Sequence, residues 1–240
     1  PVLVYIDKIT SLLYTIRYMY AVFPVGGLGE RMNRLVGERP KPMLPVGGIP
    51  ILARQLVHFR NAGVTDVILA EGYKSEVIQD YFKDGQAWGV NVHHLDQGIG
   101  PSPGERIRLA LAEVPETEKD VFVSVGDVLT DVALGGLLKQ HREKDSVYTL
   151  FTLPPFKIPS GIIMEDFSNG IADFMEKPII GDGVNSGIAV IQRESYPTIP
   201  DGAFFGPMFE MNKTRSGSFK DPDAYWLHAE DEAAYSRMKD

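Results

Sequence analysis

Between residues 21 and 144 the chain alternates short apolar runs with stretches whose apolar residues recur every three or four positions. No other feature of the sequence restricts the fold as tightly. A short apolar run bounded by turn formers reads as a strand buried on both faces, and spacing of three and four reads as one face of a helix. Residues 21–25 form such a run and end in Gly26-Gly27-Leu28-Gly29. Helical spacing follows over 51–62 and stops at Gly63. Residues 67–70 are a second strand, Ser75 opens a helix carrying Val77, Ile78, Tyr81 and Phe82, and 90–95 are a third strand. Residues 106–112 read as helix, 121–125 as strand and 134–141 as helix. Parallel neighbours in a sheet need a crossover connection, so this alternation predicts an α/β fold with a doubly wound, mainly parallel sheet. Beyond residue 144 the runs 147–153, 161–164, 171–175 and 187–192 read as strands joined by turn-like links, which predicts a mixed sheet with antiparallel additions. Residues 232–238 read as a closing helix. A length of 240 residues allows one large domain or two small ones, and no repeat or Gly/Ser linker divides the chain. Residues 19–240 are therefore read as a single domain.

Residues 1–18 are read as an extension. They are apolar, but Asp7, Lys8 and Arg17 interrupt them, and no run reaches the roughly 18 uncharged residues of a membrane span. No basic leader and small-residue cleavage site accompany them, so they make a poor signal peptide. Ile9, Leu12, Leu13, Ile16 and Tyr20 share a helical face, which suits an arm packed on the body or on a partner. The charge balance, 24 Lys plus Arg against 32 Asp plus Glu for a net −8, argues against a nucleic-acid partner bound through a broad positive surface. An anionic ligand must then be held by local cations or a metal. The chain has no Cys, which excludes a disulfide framework, a thiolate nucleophile and a cysteine zinc site, and fits a cytoplasmic location.

A glycine turn directly after a buried strand lets the backbone approach a phosphate chain, since no Cβ intervenes and the amides are free to donate. Gly26, Gly27 and Gly29 meet that need, although many glycine turns are only turns. Arg31 follows at once. Lys41 comes next, in Pro40-Lys41-Pro42-Met43-Leu44-Pro45, where the flanking prolines stiffen the segment that carries it. Elsewhere such cations would be solvated surface charge. Gly126-Asp127 ends the strand at 121–125. The carboxyl ends of strands in an open α/β sheet face the ligand crevice, so a carboxylate there is placed to hold a divalent metal, or merely to cap a turn.

These motifs, together with Gly126-Asp127-Val128-Leu129-Thr130-Asp131, Phe174-Met175-Glu176-Lys177-Pro178 and Val184-Asn185-Ser186-Gly187, stand in the order and rough spacing of the sugar-1-phosphate nucleotidylyltransferases. The resemblance covers about residues 19–240. Asp96-Gln97-Gly98, the segment from Pro103 to Arg108 and Thr152-Leu153-Pro154-Pro155 are most similar to glucose-1-phosphate cytidylyltransferase, while the Gly29-Glu30-Arg31-Met32 wording is also similar to muramate-phosphate uridylyltransferases. The resemblance implies a Rossmann-like nucleotidyltransferase fold: a mixed, mostly parallel central sheet flanked by helices with a small antiparallel addition. It implies a cytoplasmic enzyme that joins a nucleoside triphosphate, CTP ahead of UTP, dTTP or GTP, to a sugar 1-phosphate with Mg²⁺ as cofactor, and relatives of this kind often form homo-oligomers.

By the same resemblance Gly26, Gly27, Gly29, Arg106 and Gly126 bind the nucleotide, Arg31 steadies the departing pyrophosphate, Lys41 neutralises the reacting phosphates and Asp127 carries the metal. Gly161, Glu176, Lys177 and Asn185 match positions that hold the sugar phosphate. The plain alternatives are an exposed ion pair for Glu176 and Lys177 and a turn for Asn185 and Gly187.

The sequence departs from the family pattern near its end. A second metal-binding Asp is usual shortly after a Trp, whereas this chain reads Trp226-Leu227-His228-Ala229-Glu230-Asp231. One register puts His228 at that point, and the cytidylyltransferase-like register puts Glu230 there, which would keep an oxygen ligand. All three polar residues could instead decorate the start of the last helix. Val125 and the stretch 204–208 also differ from the usual wording, and Glu30 adds negative charge to the first loop. A regulatory or binding paralogue is therefore the alternative to an active enzyme. A dehydrogenase is a more remote alternative, because the first loop lacks the third glycine of a dinucleotide fingerprint.

Overall fold

The computed structural model describes residues 19–29, 32, 39–166 and 170–239. The arm read at 1–18 lies outside the described residues, as do Glu30 and Arg31. Seven strands form the central sheet: β1 Tyr20–Pro24, β2 Asp66–Glu71, β3 Asn91–Asp96, β4 Asp120–Ser124, β5 Tyr148–Leu153, β6 Val184–Gln192 and β7 Ser216–Phe219. Their order is β7-β5-β6-β4-β1-β2-β3. β1 pairs in parallel with β2 on one side and β4 on the other, β2 with β3, and β7 with β5. β6 runs against both β4 and β5. The sheet is thus mixed and mostly parallel, as the alternation of runs requires.

Residues alternate between the two faces of each strand, and both faces are buried. Ala21, Phe23, Val67, Leu69 and Phe122 pack with Leu52, Leu56 and Phe59 of α1 (Ile51–Asn61), Ile78 and Phe82 of α2 (Ser75–Phe82), and Leu134, Leu137 and Leu138 of α4 (Leu134–Glu143). Val22, Ile68, Ala70, Val121 and Val123 pack on the other side with Ile107, Ala110 and Leu111 of α3 (Pro103–Ala112) and Met208 of α5 (Phe205–Met211). α3 begins at Pro103 rather than at 106. Ser102 accepts from Glu105 N at 3.3 Å and Pro103 occupies the first turn, where its missing N–H costs nothing. α6 (Glu232–Arg237) is the expected closing helix, capped by Asp231, whose Oδ1 accepts from Ala234 N at 2.7 Å. Among the described residues no helix is long and apolar enough to cross a membrane.

Of the expected antiparallel additions, 147–153 and 187–192 join the central sheet as β5 and β6, and the rest form small sheets of their own. Ile162–Glu165 pairs with Ile171–Met175, and Trp226–His228 pairs with Val128–Thr130. The sequence reading lacks β7, α5 and the strand Trp226–His228. β7 reads Ser-Gly-Ser-Phe and has no apolar run to reveal it; its pairing with β5 makes it a strand.

Candidate active site

Strand order reverses at β1, because β2 and β3 lie on one side of it and β4 on the other. The carboxyl ends of β1 and β4 therefore open side by side onto a crevice. Val25 N donates to Ala70 O at 2.9 Å, which carries the β1 ladder one residue further before the chain turns through Gly26, Gly27, Leu28 and Gly29. Gly29 has φ 65°. At Gly26 a Cβ would overlap the Arg106 guanidinium and lie 2.8 Å from the Glu71 carbonyl carbon, so only glycine lets the first loop pass this close to β2.

Lys41 stands on a single 3₁₀ turn, Lys41–Met43, that Pro40 and Pro42 hold rigid. Pro42 abuts Gly126. A Cβ at Gly126 would lie 3.1 Å from Pro42 Cγ and 2.5 Å from Val25 Cγ1, so glycine there allows the three segments to meet. Gln55 of α1 fixes the end of β4: its Nε2 donates to Val125 O at 2.9 Å and its Oε1 accepts from Ser124 Oγ at 2.9 Å. Both Gln55 and Ser124 are buried. The sequence reading did not single out Gln55, although a polar residue inside the apolar stripe of 52, 56 and 59 is the signal that could have found it.

These constraints deliver Asp127 to the floor of the crevice. Its Oδ2 accepts from Lys41 Nζ at 2.5 Å and lies 3.2 Å from His228 Nε2. His228 arrives because the strand Trp226–His228 pairs with His228 opposite Val128, and Ala229 N donates to Asp127 O at 3.0 Å. Trp226 anchors that strand by donating its Nε1–H to Ser186 O at 2.9 Å. Burial alone would raise the Asp127 pKa. The His228 hydrogen bond and the Lys41 charge outweigh it and hold the carboxyl below the usual aspartate range.

The resulting cleft has a volume of about 550 Å³. Gly26, Gly27, Gly29, Lys41, Arg106, Gly126, Asp127, His228 and Glu230 line it, with Leu28, Ile99 and Pro101 as apolar wall. Residues from both ends of the sequence thus share one site. Arg106 reaches it from an unexpected direction. Its side chain is buried, its Nη1 donates to Glu71 O, and its Nη2 donates to Gly98 O at 2.8 Å. Gln97 Nε2 also donates to Arg106 O at 3.0 Å. Burial pulls its pKa below the ordinary arginine value, and the nearby Asp96 and Glu105 charges offset only part of this. Facing protein carbonyls, the guanidinium fixes the wall that carries Ile99 and Pro101.

Gly161, Glu176, Lys177 and Asn185 stand outside this lining. Glu176 and Lys177 are exposed and 3.9 Å apart, Asn185 Oδ1 accepts from Gly187 N at 2.8 Å, and a Cβ at Gly161 would strike the Phe174 ring. The ion pair that was the plain alternative for Glu176 and Lys177 is present, whereas Asn185 and Gly187 lie in β6, where the register against β5 shifts, rather than in a turn.

Among the described residues no three metal-ligating side chains cluster. Asp127 supplies one carboxylate at the cleft floor, His228 a nitrogen beside it and Glu230 a carboxylate on the lining. This donor set fits a divalent cation held by one or two side chains together with the oxygens of a bound phosphate, and it does not fit a closed protein cage.

Residues 20–191 match the family model for nucleotidyl transferases. The chain is 29% identical over 201 residues to a UTP-glucose-1-phosphate uridylyltransferase of Synechocystis, covering 77% of this chain and 52% of that protein. It is 33% identical over 188 residues to a mannose-1-phosphate guanylyltransferase of Mycobacterium tuberculosis, covering 76% and 51%. The chain spans about half the length of these curated relatives. The crystal structure of HddC from Yersinia pseudotuberculosis superposes with a TM-score of 0.71 over 92% of this chain and 97% of that one, at 21% identity, a likeness of fold.

Proposed function

The chain belongs to the nucleotidyl transferase family, and on that premise we propose that its cleft joins a nucleoside triphosphate to a sugar 1-phosphate with release of pyrophosphate. The observation that carries this reading is the meeting of Lys41 and Asp127 at the floor of a glycine-lined cleft, at the carboxyl ends of two neighbouring parallel strands. A phosphate oxygen of the sugar ester attacks the α-phosphorus, the new P–O bond forms, and the bond to the β-phosphate oxygen breaks. No protein nucleophile is needed, so catalysis consists of positioning and charge neutralisation.

In this reading the amides of Gly26, Gly27 and Gly29 cradle the triphosphate and Gly126 leaves room for it. Lys41 leaves Asp127 to neutralise the two reacting phosphates. Asp127, with Glu230 in reach of the same cleft, would hold the Mg²⁺ that the family uses, which when bound neutralises phosphate charge. Arg31, next to the first loop in sequence, is assigned to the pyrophosphate by resemblance alone. Arg106 positions the wall at 97–101, and Gly161, Glu176, Lys177 and Asn185 meet the sugar phosphate from beyond the cleft lining. The wording of 96–108 supports CTP, and the uridylyl- and guanylyltransferase relatives make UTP and GTP the bases to compare it with. Residues 19–240 act as one catalytic unit in the cytoplasm, and 1–18 offer an interface for a homo-oligomer.

Pyrophosphate release measured with each of four nucleotides, a panel of sugar phosphates and Mg²⁺ tests this. Turnover is expected with at least one pair, absent in Asp127→Asn and slowed by about 10²–10³-fold in Lys41→Ala, a loss of about 3–4 kcal/mol of transition-state stabilisation. Nucleotide binding without turnover by the unaltered protein would identify a regulatory paralogue instead.

A further inference from the structure

The cleft floor holds a nitrogen donor where an oxygen donor would suit Mg²⁺. His228 Nε2 and Asp127 Oδ2 are 3.2 Å apart; the pairing of Trp226–His228 with Val128–Thr130 holds the one backbone, and Ala229 N donating to Asp127 O at 3.0 Å holds the other. Neighbouring donors on an octahedral cation with bonds of about 2.1 Å lie about 3.0 Å apart. The two atoms are therefore already spaced as adjacent ligands of one ion. Lys41 Nζ contacts the same Oδ2, so an ion seated between Asp127 and His228 takes the place of the Lys41 contact. Mg²⁺ is a hard cation that gains little from an imidazole, while affinity for sites containing nitrogen rises from Mn²⁺ through the later divalent metals.

We infer that Asp127 and His228 together form a mixed oxygen and nitrogen site that selects a first-row transition-metal dication, with Mn²⁺ as its probe, over Mg²⁺. The imidazole binds through Nε2 with its proton on Nδ1. Glu230, two residues beyond His228 and on the cleft lining, adds an oxygen. Seating the ion frees Lys41 for an anionic ligand, so cation uptake and the availability of Lys41 are one event. The inference deepens the proposed function, since it concerns the cation of the same site, but its test needs no nucleotide, sugar or turnover.

The experiment uses the full chain and Mn²⁺ alone, at millimolar protein. Electron paramagnetic resonance titration gives the Mn²⁺ affinity, competition with Mg²⁺ gives the selectivity, and pulsed measurements of ¹⁴N coupling report a directly bound imidazole. The unaltered protein is expected to show a ¹⁴N-coupled Mn²⁺ and to prefer Mn²⁺ over Mg²⁺ by about tenfold or more. His228→Ala should lose the nitrogen coupling. His228→Asp should lose it while bringing the two affinities within about threefold of each other. Bound Mn²⁺ without ¹⁴N coupling, no Mn²⁺ uptake by the unaltered protein, or a selectivity unchanged in both variants overturns the assignment and leaves His228 as a hydrogen-bond partner of Asp127. Because the coupling is read on the unaltered protein, a variant that fails to fold does not remove the test. Failure here with pyrophosphate release intact would leave the proposed reaction standing.

Discussion

Gly26 and Gly27 are adjacent in the chain but differ in what surrounds them. A Cβ at Gly26 would collide with the Arg106 guanidinium and the backbone of Glu71, whereas nothing lies within 4 Å of one at Gly27. Gly26→Ala is expected to lower stability by about 1–3 kcal/mol, as overpacking does, and to weaken nucleotide binding by displacing Arg106 from the wall it holds. Gly27→Ala should stay within about 0.5 kcal/mol of the unaltered protein. Thermal unfolding of the two variants side by side checks this, and equal stability would show that the close approach at Gly26 is not a constraint. Both glycines are legible in the sequence as one phosphate-type turn. The difference between them is not, because it comes from a side chain and a strand far along the chain.

At the scale of elements, the cleft depends on how α1 is fastened to the end of β4. Gln55 makes that fastening by bonding Ser124 Oγ and Val125 O, three and two residues before Asp127. Gln55→Leu keeps the volume but removes both bonds and leaves Ser124 Oγ and Val125 O only their own 3.3 Å contact, at a cost of about 1–3 kcal/mol. The expected outcome is a lower urea midpoint together with a reduced kcat at unchanged nucleotide affinity. A stability loss with kcat intact would confine Gln55 to packing. The regular elements that build this frame were readable: β1 to β4 and helices α1, α2 and α4 follow directly from apolar spacing, and α3 from the same spacing apart from its first turn. The short strand Trp226–His228 was not, because two aromatic rings flanking a leucine carry neither period. Only its pairing with Val128–Thr130 makes it a strand and brings His228 against Asp127.

At the scale of the molecule, the two ends of β4 carry opposite duties. Asp127 follows its carboxyl end at the cleft, and Asp120 begins the strand, where Arg142 Nε donates to its Oδ2 at 2.6 Å and His141 Nε2 lies 3.5 Å from Oδ1. Burial raises the Asp120 pKa, but His141 and Arg142 more than offset it and hold the carboxyl below its ordinary value. The folded state therefore binds the proton less readily than the unfolded chain. This contribution to stability is complete above about pH 4 and is lost as pH falls through the lower, folded value. Asp120→Asn should melt at a lower temperature than the unaltered protein at pH 7, with the gap closing below about pH 4. Melting curves from pH 7 to pH 3 test the sign, and a gap that widens on acidification would contradict it.

What the sequence determined by itself was the class of sheet, the two glycine turns at its carboxyl edge, the stiffened lysine and the family to which these belong. All of these are written in consecutive residues, where apolar period, proline and glycine act locally. Tertiary structure alone decided that His228 reaches Asp127 from 101 positions away, that the Arg106 guanidinium turns inward to backbone carbonyls, and that the proposed sugar-phosphate residues stand outside the cleft lining. The physical reason is that strand register and the choice of hydrogen-bond partner depend on which surfaces meet once the core is buried, and local spacing carries no record of distant surfaces.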